Sequence, residues 1–222
     1  KIDVIELAAD KKFKKLSNKQ KLKIKRKLNL PDKFLLYVGD VNFVKNTPFL
    51  IREFLKLRTY DQFSDLNLVL IGKSFAKKID SYHPELKSLI ETNKLINEVG
   101  EKIKVLGYLE TDDLIGVYNL ASAYIQPSLY EGFGLPVLEA MAAGCPVISS
   151  ENGSLKEIGK DAAIYFNPIA EGELSSAVVK LLSSDTLRKD LIQKGLERVK
   201  DYSWEETAKQ TIEVYAKVLK RS

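Results

Sequence analysis

Two glutamates, Glu131 and Glu139, bracket a glycine-rich turn in the stretch S-L-Y-E-G-F-G-L-P-V-L-E-A-M-A-A-G-C-P-V-I-S, Ser128 to Ser149. Gly132 and Gly134 free backbone N–H groups just where Pro136 can open a helix, and the positive end of a helix is a natural anion site. A carboxylate on either side can accept hydrogen bonds from hydroxyl groups. The combination suits a ligand carrying both phosphate and sugar. Glu139 stands one turn inside an otherwise apolar helix of Leu135, Val137, Leu138, Ala140 and Met141, where an unpartnered acid is costly. Helical side chains lean toward the N-terminus, so Glu139 is expected to point back to the turn and share a cavity with Glu131. The plainer reading is a structural acid that caps backbone amides.

The segment G-D-V-N-F-V-K-N offers a second place for phosphate. Gly39 lets the chain turn after a strand, and Lys45 stands just before a helix that Thr47 can cap. A charge-assisted contact there is worth about 1.5–3 kcal/mol when partly desolvated. Taken alone, Lys45 reads as one of many surface lysines. Gly72-Lys73-Ser74 and Gly107-Tyr108-Leu109 are ordinary turns that gain meaning only by following strands of the same sheet. His83, before Pro84, reads as an exposed turn residue, and Cys145 as a small buried hydrophobe. With one histidine and one cysteine, no Ser/His/Asp or Cys/His set is available and no cluster has metal-ligand spacing. No metal and no cofactor are expected.

The elements that must position these residues follow a regular pattern. Residues 1 to 9 form an extended lead-in, and Ser17 with Gln20 makes a capping box for a lysine-rich helix ending near Asn29 and Pro31. Short apolar runs at Phe34 to Val38, Leu66 to Ile71, Ile103 to Leu106, Ala123 to Gln126, Pro146 to Ser149 and Ala163 to Phe166 predict buried strands. Helices open between them at Thr47 and Pro48, Pro84, Thr111 and Pro136. After Pro168 the chain turns wholly helical, over Glu171 to Leu182, Asp185 to Lys200 and Ser203 to Leu219, the last capped by Ser203. The fold class is therefore α/β, a mostly parallel sheet with helices on both faces. In such sheets ligands bind beyond the carboxyl ends of the strands, where every candidate residue above falls.

Composition narrows the classes further. A chain of 222 residues with 45% hydrophobic residues can bury a sizeable core. One cysteine excludes an internal disulfide framework and fits a reducing compartment. No apolar run approaches the roughly 18 residues of a membrane span. The net charge of +5 is concentrated in Lys11, Lys12, Lys14, Lys15, Lys19, Lys21, Lys23, Lys25, Arg26 and Lys27, with no acid among them. This cluster reads as a solvated helix face or as a patch resting on an anionic membrane or acidic partner. No interleaved aromatics suit it to stacking nucleic-acid bases.

With these pieces in place, the chain resembles the C-terminal, nucleotide-sugar-binding domain of retaining glycosyltransferases of family 4. The motifs that carry the resemblance are Y-V-G-D-V-N-F-V-K-N, L-V-L-I-G-K, V-L-G-Y-L, E-G-F-G-L-P-V-L-E, G-C-P-V-I-S, K-D-A-A-I-Y-F-N-P and Y-S-W-E-E-T-A-K-Q-T. The resemblance implies a Rossmann-like domain over residues 1–222, one half of a GT-B fold, with 1–30 as lead-in and basic helix and 203–222 as C-terminal helix. The acceptor-binding N-terminal domain would be absent, and the chain, which begins at Lys1 rather than Met, would be an excised fragment with little transfer activity of its own. Glu131 would act at the donor sugar as the catalytic residue. The amides of Phe133, Gly134 and Leu135 would hold sugar and diphosphate, Glu139 the ribose hydroxyls and Lys45 the diphosphate, with Gly39 beside it. Tyr108 and Leu109 would receive the base of a UDP- or GDP-linked sugar. The implied reaction is metal-independent hexosyl or mannosyl transfer, with retention, to a glycan or lipid-linked glycan, in the cytoplasm or at the inner membrane face. Many family members carry an arginine where this chain has Asp40 or Val44, which makes Lys73 a candidate second phosphate contact. Two other readings stand beside this one: a non-catalytic nucleotide-binding or regulatory module, and a nucleotide-sugar epimerase.

Overall fold

The computed structural model describes residues 2–76 and 86–219. Six strands form one parallel sheet: β1 (Phe34–Val38), β2 (Asn67–Ile71), β3 (Ile103–Gly107), β4 (Ala123–Gln126), β5 (Val147–Ser150) and β6 (Ala163–Phe166). Their spatial order is β3-β2-β1-β4-β5-β6. All neighbours run parallel, with Leu35 opposite Ala123 and Leu36 opposite Tyr124 where β1 meets β4. The order reverses between β1 and β4, and in doubly wound sheets that reversal opens the ligand crevice at the carboxyl ends.

The strands are apolar on both faces because both faces are covered. Phe34, Leu36, Val69, Tyr124 and Val147 pack on one side against α4 (Thr111–Leu120), α5 (Leu135–Ala142) and α6 (Leu155–Gly159). Leu35, Tyr37, Leu68, Leu70 and Ile125 pack on the other against α2 (Thr47–Leu57) and α7 (Glu173–Leu182). Alternate residues of one strand thus feed two separate cores, each fully buried side chain worth about 1.5–3 kcal/mol. The remaining helices are α1 (Asn18–Lys27), α3 (Lys87–Val99), α8 (Asp185–Arg198) and α9 (Trp204–Leu219).

The predicted elements are present within a residue or two of their expected ends. Ser17 and Gln20 form a reciprocal capping box on α1, and the Ser203 hydroxyl accepts from the amide of Glu206 at the head of α9. The expected helix start at Pro84, and His83 with it, lie outside the described residues. Thr47 does not cap α2: Asn46 takes the N-cap position in the left-handed region, with φ 54°. Asparagine tolerates that conformation, whereas a β-branched threonine resists it. The short helix α6 was not expected from the sequence, because five residues carry too little periodicity to register.

Candidate donor site at the switch point

The loops after β1 and β4 meet across the reversal of strand order. Leu129 N–H donates to the Val44 carbonyl at 2.7 Å. The Asn46 side-chain amide donates to the carbonyls of Pro127 and Pro168, at 3.2 and 2.9 Å. The left-handed turn at Asn46 therefore pins three loops at once. It also sets the preceding Lys45 against Glu131, with Nζ 2.6 Å from Oε1.

Three donors converge on that single oxygen. Besides Lys45, Gln126 Nε2 and Ser128 Oγ each lie 2.7 Å from Glu131 Oε1. Gln126 is buried at the end of β4 and accepts in turn from the Tyr124 hydroxyl. The carboxylate is thereby fixed through one oxygen, and among the described residues no donor is paired with the other, which keeps its capacity to accept a hydrogen bond.

Beyond Glu131 the chain passes through the glycine turn into α5. Gly134 is the N-cap at φ 110° and ψ 41°, and a Cβ there would fall 2.9 Å from Leu155 Cδ2. Glycine is required both by the dihedral and by the contact. Having no side chain, it also leaves the first N–H groups of α5, which no helix satisfies internally, without a cap. Phe133 turns its ring inward, edge-on to Tyr202 with centroids 5.9 Å apart, so its backbone edges the turn.

The loop after β5 braces the turn from below. Ser154 Oγ lies 2.6 Å from the Phe133 carbonyl and 3.1 Å from that of Glu131, while Asn152 Nδ2 donates to the Leu129 carbonyl at 3.1 Å. Gly153 is left-handed at φ 61°, and a Cβ there would approach the Glu131 carbonyl to 2.7 Å.

Glu139 takes a partner of its own. Its Oε2 accepts from the buried Tyr118 hydroxyl of α4 at 3.1 Å. Burial pushes its carboxyl above the usual range, the Tyr118 bond opposes this, and Asp10 adds to it. The structure thus brings Lys45 and Glu131 into contact and gives Glu139 a separate partner in Tyr118.

Lys73 and Tyr108 are also brought together. They follow β2 and β3, and the ammonium lies 4.8 Å from the centre of the exposed Tyr108 ring. Asp40, after Gly39, holds the same turn: its Oδ1 accepts from both the amide and the hydroxyl of Ser74, at 3.0 and 2.9 Å. Leu109 is half-buried against the core. Cys145 is buried, and its thiol is pushed well up by desolvation. Among the described residues no three His, Cys, Asp or Glu side chains are placed to hold a metal ion. No described helix is long and apolar enough to cross a membrane.

Sequence reasoning missed Gln126, Ser128, Asn46 and Ser154. A polar residue ending an apolar strand is the one signal that could have flagged Gln126. Ser128 acts on the Glu131 carboxylate three residues away within the loop after β4, while Asn46 and Ser154 act on backbone carbonyls brought close only by the fold.

A six-stranded doubly wound parallel sheet with a glycine-opened crevice at its switch point defines a Rossmann-like α/β domain. The family model described as glycosyl transferases group 1 matches residues 18–198, and the chain belongs to that family as a C-terminal GT-B domain. The chain is 40% identical over 113 residues to O-antigen chain mannosyltransferase B of Escherichia coli, covering 51% of this chain and 30% of that one. It is 32% identical over 199 residues to the serotype-specific mannosyltransferase WbdA of Escherichia coli, covering 90% of this chain and 23% of that one. The chain spans about half or less of the length of these curated relatives. Among solved structures, sucrose-phosphate synthase of Thermosynechococcus elongatus superposes with a TM-score of 0.80 at 25% identity, over 99% of this chain and 53% of that one. The C-terminal domain of a glycosyl transferase group 1 family protein from Francisella tularensis gives 0.69 at 22% identity, over 85% of this chain and 94% of that one.

Proposed function

We propose that this chain is the donor-binding half of a retaining sugar transferase that uses a nucleoside-diphosphate sugar, UDP- or GDP-linked. The observation that carries the reading is the Lys45–Glu131 pair at the switch point, beside the uncapped N-terminus of α5. In this reading the diphosphate sits over that helix end with Lys45 beside it. Glu131 Oε2 meets a sugar hydroxyl, and Glu139 meets the ribose. The anomeric carbon–oxygen bond to the diphosphate breaks as a bond to an acceptor oxygen forms, and the acceptor hydroxyl's proton passes to the departing diphosphate. The leaving charge is taken up by Lys45 and the helix amides, without a metal. Mannosyltransferase relatives favour a mannosyl-type hexose. The acceptor, a glycan or lipid-linked glycan, would be held by an N-terminal half beyond this chain. The apolar side chains Ile212, Tyr215, Val218 and Leu219, exposed on α9, give such a half a surface to pack on.

Calorimetric titration with UDP, GDP and ADP and with their sugars tests the reading. One nucleoside diphosphate should bind, and its sugar conjugate should bind with a further contribution that Glu131→Ala removes. Failure of every nucleotide to bind a folded sample would overturn it and leave the family's fold without its ligand.

A further inference from the structure

The lysine cluster has a structure that composition alone does not give. Of its ten cations, Lys11, Lys25 and Lys27 are paired, to Glu205, Asp32 and Asp113. Lys12, Lys14, Lys15, Lys19, Lys23 and Arg26 are exposed and make no ion pair among the described residues. Other helices of the chain offset their lysines one turn away, as Lys94 with Glu98, Lys194 with Asp190 and Lys200 with Glu197. Helix α1 has no acid at all.

Three of the free cations are ordered along one stripe of α1. Lys19, Leu22, Lys23 and Arg26 fall at i, i+3, i+4 and i+7, the spacing of a single helix face, and together they line an open groove of about 510 Å³. Leu22 lies in the middle of this stripe and is 53% exposed. A second groove, also about 510 Å³, continues from Lys23 to Lys12 and Lys14. Of its two acids Asp113 is paired with Lys27 and Asp112 is exposed, so Lys12, Lys14 and Lys23 outnumber the one acid without an ion pair among the described residues.

The surface is held rigid from behind. Ile24 packs on Gly116 of α4 so closely that a Cβ there would lie 2.2 Å from it. Asn119 accepts from the Leu16 amide at 2.8 Å and donates to the Lys14 carbonyl at 2.9 Å. The arrangement of charges is therefore set before any partner arrives.

We infer that this face, from Lys12 to Arg26, docks on an anionic lipid bilayer. Leu22 enters the headgroup boundary while the lysine stems lie along it with their ammonium groups among the phosphates. The only aromatic residue in this stretch, Phe13, is buried, so the face offers no base-stacking platform to nucleic acid. An acidic protein would match the charge but leave the central leucine unexplained. The inference is independent of the donor-site reading.

Two triple variants test it. Lys19→Glu, Lys23→Glu and Arg26→Glu take the net charge from +5 to −1. So do Lys87→Glu, Lys180→Glu and Lys189→Glu on exposed positions elsewhere. Partitioning onto phosphatidylcholine vesicles with and without phosphatidylglycerol is measured by flotation, with thermal melts to confirm folding. The wild-type chain should bind only the phosphatidylglycerol vesicles. The α1 triple should lose roughly a hundredfold, since each basic residue near such a surface is worth about a fivefold gain, and the control triple less than about threefold of the same scale. Leu22→Ser should weaken binding without changing its salt dependence. Equal losses in the two triples, no binding to either vesicle, equal binding to both vesicles, or a Leu22→Ser variant as good as wild type would each overturn the proposal. Should the α1 triple fail to fold, Lys19→Gln, Lys23→Gln and Arg26→Gln against the matched glutamine control decides the same question.

Discussion

Helices α2 and α5 are built alike and do opposite things with their acids. They follow β1 and β4, the two strands at the reversal of order. Each opens on a left-handed N-cap, Asn46 or Gly134, with a proline in its first turn and no side-chain cap. Each then carries a glutamate, Glu53 about two turns in and Glu139 about one. Glu53 on α2 is 1% exposed and fully engaged: its carboxylate accepts from Lys56 at 2.8 Å, from the Gly172 amide at 3.0 Å and from the Ser175 amide at 3.2 Å. Burial works to raise its carboxyl, yet those bonds outweigh it and hold the group below the usual range. Glu139 on α5 has the Tyr118 hydroxyl, and there burial wins. A satisfied acid closes a structure, here by capping the head of α7. An acid with one partner and a raised carboxyl keeps capacity for more hydrogen bonds, which is what a ligand with hydroxyl groups supplies.

The largest effect should come from opening the closed network. Glu53→Ala leaves the half-buried amide of Gly172 and the buried amide of Ser175 without an acceptor and should cost about 3 kcal/mol of unfolding free energy. Urea unfolding at neutral pH measures it. A cost below about 1 kcal/mol would mean that Glu53 is no more structural than Glu139.

The converse holds for the site. Glu139→Gln should weaken nucleoside-diphosphate binding by about 1.5–3 kcal/mol, the worth of hydrogen bonds to a charged acceptor, while the melting temperature stays level or rises. Titration and thermal melts on one sample check both. A fall in stability comparable to that of Glu53→Ala would turn Glu139 back into a structural acid. Glu131→Ala, by contrast, should spare the free nucleoside diphosphate and remove only the added affinity of the sugar.

Acid should reverse the two signs. A carboxyl held low in the folded state stabilises above its unfolded value of about 4.3 and loses that contribution as pH falls through the lower folded value. Glu53→Gln should therefore be less stable than wild type at pH 7, with the deficit closing in acid. A carboxyl held high opposes folding above about 4.3 and ceases to do so as it takes up its proton. Glu139→Gln should be the more stable protein at pH 7, its advantage vanishing in acid. Melts from pH 7 to 3 would break the comparison if both variants moved the same way.

The distinction between these acids was only half legible in the sequence. Glu131, Glu139 and Lys45 could be named because a glycine turn, a proline and a strand end each leave a local mark. The six strands were legible for the same reason, since both-face burial writes itself as short apolar runs. Glu53 could not be placed: its partners Gly172 and Ser175 stand about 120 residues away and present backbone amides, which any residue type would supply. The convergence of Gln126 and Ser128 on one oxygen of Glu131 is local in sequence but was hidden because it depends on how the loop after β4 turns back on itself, and Lys45 joins them only because β4 lies beside β1. Thr47 was misjudged as the cap of α2 and Asn46 overlooked, because the sign of φ at a helix start is not spelled by the helix itself.

The smallest expected effect carries the comparison from acids to cations. Lys45 is tied to Glu131 at 2.6 Å in a half-buried pair, whereas Lys73 only rests over the exposed ring of Tyr108 at 4.8 Å. A cation–π contact at an exposed position is worth about 0.5–1 kcal/mol, weak enough for an arriving phosphate to displace. If Lys73 serves in place of the arginine that Asp40 and Val44 do not supply, Lys73→Ala should reduce nucleoside-diphosphate affinity about fivefold, a loss of about 1 kcal/mol. Lys73→Arg should restore it, and Lys45→Ala should cost far more. An unchanged affinity in Lys73→Ala would leave Lys45 and the head of α5 to hold the diphosphate alone, with Asp40 fixing the Ser74 turn for structural reasons only.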